Sequence, residues 1–302
     1  MRAGRSILVT GAGGFIGSTL ARGLADLGHR VTALDRQFDA TAIAGLGQMP
    51  RITADLAAPP PDLPACDVIL HAAALTTSPA ALGITEAAHV AANMAPLMAM
   101  IAHADRTRPA AFVFLSSSGV FGDADGSPDL TDSDMPTATG PYSAAKKAGE
   151  ALVPGALGGL CQTHVLRLGY LYGPGEVARP TRQRVSLLAT WLAAAQAGRA
   201  ITLPANDPRR DWTYAPDLAP VIARLLEVEG SARPLHLCTP DATPDSVVAA
   251  VIRTHHPALR VVPGPPVPTK PPMRPSRHPA IDGYQWTTLE AGLARLLRGN
   301  AA

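Results

Sequence analysis

A glycine-rich stretch close to the start constrains the chain more than any other feature. Three aliphatic residues, 7–9, lead through Thr10 into a glycine cluster that ends at Gly17, and the apolar segment 18–27 follows. This order predicts a buried strand, a tight turn and the N-terminus of a helix. Glycines in such a turn allow positive φ and a close approach of the backbone to a phosphate. The helix N-terminus offers that phosphate unpaired N–H groups and a partial positive charge.

An acidic residue lies at the distance from this turn that a dinucleotide site requires. The run 31–34 predicts a second strand, and Asp35 follows it, 18 residues after Gly17. A carboxylate there meets the ribose of the adenosine half of a dinucleotide. Asp35 favours a free 2′-hydroxyl and hence NAD, whereas the adjacent Arg36 would suit a 2′-phosphate and leaves NADP open. The alternative is an ordinary glycine-rich loop followed by an unrelated acid.

A second pattern carries acid–base chemistry. The apolar run 111–115 predicts a buried strand that ends in three serines, 116–118. Ligands bind at the carboxyl ends of parallel strands. Tyr142 and Lys146 then lie four positions apart on a predicted helix and share one face. Because an ammonium one turn away favours the phenolate, the pair can exchange a proton with a carbinol.

Together these motifs resemble the extended branch of the short-chain dehydrogenase/reductase superfamily, the epimerase/dehydratase-like enzymes. Gly11, Gly14 and Gly17 have the G-x-x-G-x-x-G spacing of its cofactor loop, and the resemblance extends from Ile7 to about Leu297. It implies NAD as the cofactor of an oxidoreductase.

The resemblance also implies an α/β fold, a Rossmann-type doubly wound parallel sheet with a smaller C-terminal substrate-binding domain. A chain of 302 residues is long enough for both. We expect residues 1–168 to form mainly the NAD-binding domain. Residues 169–302 should form mainly the substrate-binding part, with some segments returning to the first domain.

The resemblance, taken residue by residue, implies a cofactor site formed by the glycine loop, three strand ends and two helix residues. The predicted cofactor-binding residues are Gly11, Gly14, Phe15, Ile16, Gly17, Asp35, Arg36, Asp55, Leu56, Ala72, Ala73, Ala74, Tyr142 and Lys146. Asp55 would approach the adenine amino group, although a plain loop acid explains it equally well. The small residues 72–74 would let the backbone approach the cofactor, and His71 before them is expected to be structural. Asn93 is expected to brace the active-site strand.

The same resemblance implies that Ser117, Tyr142 and Lys146 are the catalytic residues. The hydroxyl falls on Ser117 when it is counted back from the run Val120-Phe121-Gly122. Ser118 is the second choice, and Ser116 is expected to face the protein interior.

The predicted substrate-binding residues are Ser117, Ser118, Tyr170, Arg210 and Arg274. Nucleotide-sugar epimerases usually have Asn in the place of Tyr170, which disfavours a nucleotide sugar. Arg210 and Arg274 would bind a phosphate or carboxylate in one pocket. Alternatively, Arg210 is a structural partner of Asp211 or Asp217.

The predicted activity is hydride transfer between a secondary carbinol of a sugar or sugar acid and the nicotinamide. Tyr142 would take the hydroxyl proton, and Ser117 would hold the oxygen. A nucleotide-sugar 4-epimerase or a dehydratase-like enzyme is the second hypothesis. A non-catalytic dinucleotide sensor is the third, but loss of Tyr142 or Lys146 would be expected there. The expected partner is a small, anionic, sugar-type substrate.

Composition excludes several other classes. The net charge of +2 is too small for a nucleic-acid or membrane surface. The three cysteines have no metal or disulfide spacing, so no metal site and a cytoplasmic location are expected. A homodimer is the oligomer kept open.

Overall fold

The computed structural model describes residues 4–58, 62–179, 183, 185–231 and 233–299. Its strands are, in chain order, β1 (Ser6–Thr10), β2 (Arg30–Asp35), β3 (Arg51–Thr53), β4 (Val68–His71), β5 (Ala111–Ser117), β6 (Gln162–Leu168), β7 (Tyr170–Tyr172), β8 (Ile201–Pro204), β9 (Arg209–Arg210), β10 (Trp212–Tyr214), β11 (Leu235–Leu237), β12 (Thr243–Pro244) and β13 (Val261–Gly264). Seven of them form one sheet in the order β3-β2-β1-β4-β5-β6-β11, with every pairing parallel. This order confirms the predicted doubly wound fold and places its switch point between β1 and β4.

Helices occupy most of the connections between these strands. In the described ranges they are α1 (Phe15–Asp26), α2 (Ala40–Leu46), α3 (Pro79–Leu82), α4 (Glu86–Thr107), α5 (Pro141–Leu157), α6 (Leu187–Gln196), α7 (Leu218–Leu225), α8 (Asp245–His255) and α9 (Leu289–Gly299). Across these ranges, every helix is too short or too polar to cross a membrane. The cytoplasmic location and the homodimer stay predictions.

Helices cover both faces of the large sheet. Alternate residues of each strand point to opposite faces, so each strand contributes side chains to two cores. In β1, Ile7 and Val9 belong to a core that includes the apolar faces of α1 and α7. Leu8 belongs to a separate core with residues of α4 and α5. This double burial explains why the central strands are nearly continuous apolar runs.

A smaller part of the molecule is built from the later chain around its own core. Trp191, Trp212, Ile252 and Leu293, from α6, β10, α8 and α9, are buried together there. β7 begins two residues after β6 ends and pairs with β10. β11 comes from the same half of the chain but returns to the large sheet beside β6. The assignment of residues 1–168 mainly to NAD binding and of residues 169–302 mainly to substrate binding stays a prediction.

Candidate active site

A cleft of about 530 Å³ lies at the carboxyl ends of six of the sheet strands. It is lined by every predicted cofactor residue, namely Gly11, Gly14, Phe15, Ile16, Gly17, Asp35, Arg36, Asp55, Leu56, Ala72, Ala73, Ala74, Tyr142 and Lys146, and also by Ser117, Ser118 and Tyr170. The strands converge there because they are parallel and their loops leave the same edge of the sheet. The fold thus brings distant sequence motifs together, while their individual roles stay predictions.

The glycine loop packs too tightly for side chains. Gly11 has φ +70°, and a Cβ on it would lie 2.5 Å from the backbone nitrogen of Ala73. A Cβ on Gly17 would lie 2.1 Å from the carbonyl oxygen of Gly11. Gly14 is the N-cap of α1, and no side chain of the described residues caps that helix. The first turn of α1 therefore presents its N–H groups to the cleft, as an anion site requires.

Asp35 is bound to the glycine loop. Its carboxylate accepts hydrogen bonds from the backbone N–H groups of Gly13 at 2.9 Å and Gln37 at 3.3 Å. Burial raises the pKa of Asp35, and these hydrogen bonds oppose that rise. The carboxylate therefore orders the glycine turn in addition to facing the cleft. The contact with Gly13 was not expected from the sequence.

Tyr142 and Lys146 lie in the first two turns of α5 and face the end of β5. The ammonium of Lys146 donates to the carbonyl oxygen of Leu115 at 2.7 Å and lies 5.8 Å from the ring centroid of Tyr142. Lys146 is only 5% exposed. Burial lowers its pKa to about 8, although the charge of Glu150 opposes this. The ammonium is therefore charged at neutral pH and close to the phenol.

Ser117 completes this group from the last position of β5. Its Oγ accepts a hydrogen bond from the N–H of Gly119 at 3.0 Å. A Cβ on Gly119 would lie 3.2 Å from this oxygen and 3.4 Å from Cε1 of Tyr142, so both side chains flank the same glycine. Ser118 is mostly buried beside it.

Beneath Ser117, Tyr142 and Lys146 lies a buried ion pair that the sequence did not predict. Glu150 binds Arg167 through two hydrogen bonds of 2.9 and 2.7 Å. Ser116 is 3% exposed and donates to the same carboxylate at 2.6 Å, which confirms that it faces the interior. One feature of the sequence could have indicated Glu150. Tyr142, Lys146 and Glu150 recur at intervals of four, which places all three on one helix face.

His71 has the structural position expected of it, and Asn93 is structural too, although it contacts the segment after β4 and not the strand that ends in the serines. His71 is 1% exposed and its Nδ1 lies 3.0 Å from the hydroxyl of Thr10. Burial lowers the pKa of His71 to about 3, so the ring is neutral. The amide of Asn93 bonds both the N–H and the carbonyl of Leu75, at 2.9 and 3.2 Å. It thereby braces the segment that follows β4.

Neither Arg210 nor Arg274 lines the cleft in the described structure. Arg210 binds the fully buried Asp245 through Nε at 3.0 Å and Nη2 at 3.2 Å. Arg210 therefore has a structural partner, as the alternative prediction stated, but the predicted partner was wrong. The partner is Asp245, not Asp211 or Asp217. Arg274 binds Asp129, with 2.6 Å between Nη2 and the carboxylate. Substrate contacts of the two arginines stay predictions that this geometry does not support.

Two cationic residues of the described cleft lining were not expected as site residues from the sequence. Lys270 lines the cleft beside Tyr170, with its ammonium 4.9 Å from the ring centroid. Arg179 is 7% exposed, lines the cleft and pairs with Asp39 at 2.7 Å. Each reaches the cleft from a loop of the later chain, and no spacing in the sequence connects either residue to the motifs above.

One relative of known function is similar to a short part of the sequence. Over 69 residues the chain is 44% identical to 2-alkyl-3-oxoalkanoate reductase of Stenotrophomonas maltophilia (strain K279a). This alignment covers 22% of the chain and only 18% of the reductase, so it spans less than a fifth of that relative's length.

Solved structures are similar over the whole chain. The UDP-glucose 4-epimerase of Thermotoga maritima, solved with UDP-glucose, has a TM-score of 0.82 at 19% identity and covers 98% of this chain and 100% of its own. The UDP-glucose 4-epimerase of Thermus thermophilus, solved with NAD, has a TM-score of 0.77 at 19% identity, with coverages of 97% and 99%. At these identities the likeness shows the fold.

The sequence also matches one family over most of its length. Residues 7–238 match the model of the NAD-dependent epimerase/dehydratase family. The matched range runs from the start of the glycine motif through α5, which carries Tyr142 and Lys146, to β11, the last strand of the large sheet. The chain therefore belongs to the NAD-dependent epimerase/dehydratase family, whose members are enzymes that use NAD.

Proposed function

We propose that this enzyme is a sugar dehydrogenase that transfers a hydride between a secondary carbinol of a sugar or sugar acid and NAD. One observation carries the proposal: Ser117, Tyr142 and Lys146 line the same cleft as the glycine loop. A proton acceptor, an oxygen-binding hydroxyl and a cofactor cradle in one cleft are the parts that carbinol oxidation needs.

The residues present fit a dinucleotide. The tight glycine turn and the uncapped N-terminus of α1 suit its pyrophosphate, and Asp35 suits the ribose of its adenosine half. Lys146 would also hold the ribose next to the nicotinamide. When bound, NAD supplies the hydride acceptor.

The chain's own residues manage the proton. Ser117 holds the carbinol oxygen by a hydrogen bond from its hydroxyl. Tyr142 accepts the hydroxyl proton as a phenolate, whose negative charge the adjacent ammonium of Lys146 stabilises. The buried Glu150 keeps Lys146 charged by favouring its ammonium form. The Stenotrophomonas relative is named for the reduction of a 3-oxo acid, which is the reverse of this half-reaction at a different substrate.

An epimerase is the second candidate, and a specific contact favours it. Arg179 and Asp39 join segments of the later and earlier chain at the cleft wall. Such a tie would slow cofactor exchange, and an epimerase keeps its cofactor whereas a dehydrogenase must exchange it every cycle. A dehydrogenase and an epimerase would both use Ser117, Tyr142 and Lys146. They differ in whether the ketone formed from the carbinol is released from the enzyme.

The test is to incubate the purified protein with NAD and a panel of sugars, sugar acids and UDP-sugars. A dehydrogenase should form stoichiometric NADH, which is followed by absorbance, together with a ketone or lactone. An isomeric product without net NADH would establish the epimerase instead. The Tyr142→Phe variant serves as the control that must be inactive in either case, and its activity would contradict both.

A further inference from the structure

The positive charges along the cleft lie at separate places. Among the described residues, the cationic side chains that line it are those of Arg36, Lys146, Arg179 and Lys270. The first follows Asp35 at the adenosine end, the second belongs to the catalytic group, and the third is paired with Asp39. Lys270 is the one of these four that lies against the ring of Tyr170.

The position of Tyr170 ties Lys270 to the reacting end of the cleft. Leu168, at the end of β6, is the register partner of Ser117. Tyr170 follows two residues later, which is roughly 7 Å of extended chain. The ammonium of Lys270 lies 4.9 Å from the Tyr170 ring centroid. Lys270 therefore lies at the Ser117 end of the cleft, within reach of a sugar-sized molecule whose carbinol contacts Ser117.

The residues that the structure describes compensate the charge of Lys270 only in part. Within the described chain, Lys270 forms no ion pair. Arg210 lies 5.0 Å from the same Tyr170 ring, but both of its contacting nitrogens are bound by Asp245. Asp211 interacts electrostatically with Lys270, yet burial raises the pKa of Asp211 to about 7, so its charge is incomplete at neutral pH.

We propose that Lys270 binds an anionic group, a carboxylate or a phosphate, of the substrate. The Lys270 residue is half-buried, and an ammonium without an ion-pair partner among the described residues gains from a charge-assisted hydrogen bond to such a group. The proposal rests on the proposed function, because its ligand is the substrate of that site. The substrate is still expected to be anionic, but the residue that binds its negative charge is Lys270 in place of Arg210 and Arg274.

The test compares anionic and neutral forms of one sugar by calorimetry. The pairs are D-galacturonate with D-galactose, D-glucose 6-phosphate with D-glucose, and UDP-glucose with D-glucose as the nucleotide-sugar pair. Saturating NADH is present, so that an alcohol cannot be oxidised during the measurement. The variants are Lys270→Gln and Lys270→Arg. The control Arg253→Gln removes one exposed positive charge from the last turn of α8.

In the wild type, the anionic member of at least one pair should bind roughly tenfold or more tightly than its neutral partner. Lys270→Gln should abolish this preference without changing the neutral partner's affinity, Lys270→Arg should retain most of it, and Arg253→Gln should leave it intact. The proposal is overturned if no anionic probe outbinds its partner, or if the preference survives Lys270→Gln. Lys270-dependent binding without turnover would contradict only the proposed function.

Discussion

Arg179 and Asp39 form an ion pair at the cleft wall, with 2.7 Å between Nε and Oδ2, although 140 positions separate them. The Arg179 side chain is 5% exposed. Asp39 also caps α2, since its Oδ1 accepts from the N–H of Ala42 at 2.7 Å. The pair thus anchors a late loop to the first half of the chain at the cleft that the glycine loop also lines.

Loss of this pair should speed the release of NAD. Arg179→Gln should raise the dissociation rate at least fivefold, because removing one partner of a largely buried ion pair costs about 1 kcal/mol or more. Stopped-flow displacement of NADH, followed by its fluorescence, measures the rate. Asp39→Asn is the matched variant, since it breaks the pair but keeps an oxygen to cap α2, and it should give the same increase. Unchanged rates in both variants would show that the pair does not restrict exchange.

Removal of the Tyr142 hydroxyl should stop turnover and spare cofactor binding. Tyr142→Phe should lower kcat by about 10²- to 10⁴-fold, the usual contribution of a general acid or base. The dissociation constant of NAD, measured by calorimetry, should change little because the ring and its packing remain. A variant with near-normal kcat would refute the assignment of Tyr142 as proton acceptor.

Asp35 should set the preference for NAD over NADP. Its carboxylate lines the cleft and would repel a 2′-phosphate. Asp35→Asn removes the charge but keeps an oxygen for the N–H of Gly13, so the loop should stay ordered while the affinity ratio of NAD to NADP falls. Asp35→Ala should lower the ratio too and weaken both cofactors. If the wild type binds NADP more tightly, Arg36 decides the preference instead.

Asp211 should make stability depend on pH near neutrality. Burial raises the pKa of this carboxyl from 3.8 to about 7 in the folded state, while the unfolded chain keeps the lower value. Between these values the unfolded state releases the proton first, so ionisation favours unfolding as pH rises. The free energy of unfolding of the wild type, measured relative to that of Asp211→Asn, should therefore fall from pH 5 to pH 7. Above pH 7 this difference should level off. Urea titrations at four pH values measure it, and a constant difference would contradict the shifted pKa.

Arg210→Lys should reduce stability more than it alters cofactor binding. The change keeps the positive charge but loses one of the two hydrogen bonds to Asp245, whose side chain is fully buried. We expect a loss of about 1–2 kcal/mol in free energy of unfolding, with NAD affinity unchanged. Thermal and chemical unfolding test this. A rise in KM with no loss of stability would restore Arg210 to the substrate site.

Local motifs of the sequence determined the fold and most of the cofactor cleft. The strand, glycine turn and helix at the start of the chain are neighbours in sequence, so their geometry follows from backbone freedom and apolar pattern alone. The same holds for Tyr142 and Lys146, because a spacing of four residues fixes their relation within a single helix. The parallel sheet then carries Asp35 and Ser117 to one edge, a consequence of the fold class.

Only the tertiary structure decided where the remaining charges lie. Arg210 meets Asp245 rather than Asp211 or Asp217, although the latter two are nearer in sequence. Asp217 instead binds Thr287, and its carboxylate accepts from that backbone N–H at 2.6 Å. Lys270 reaches the cleft, whereas Arg274, four positions later, pairs with Asp129. Arginine and lysine side chains are long and act over a few ångströms, so their partners depend on which distant loops pack together, and a linear pattern does not encode that.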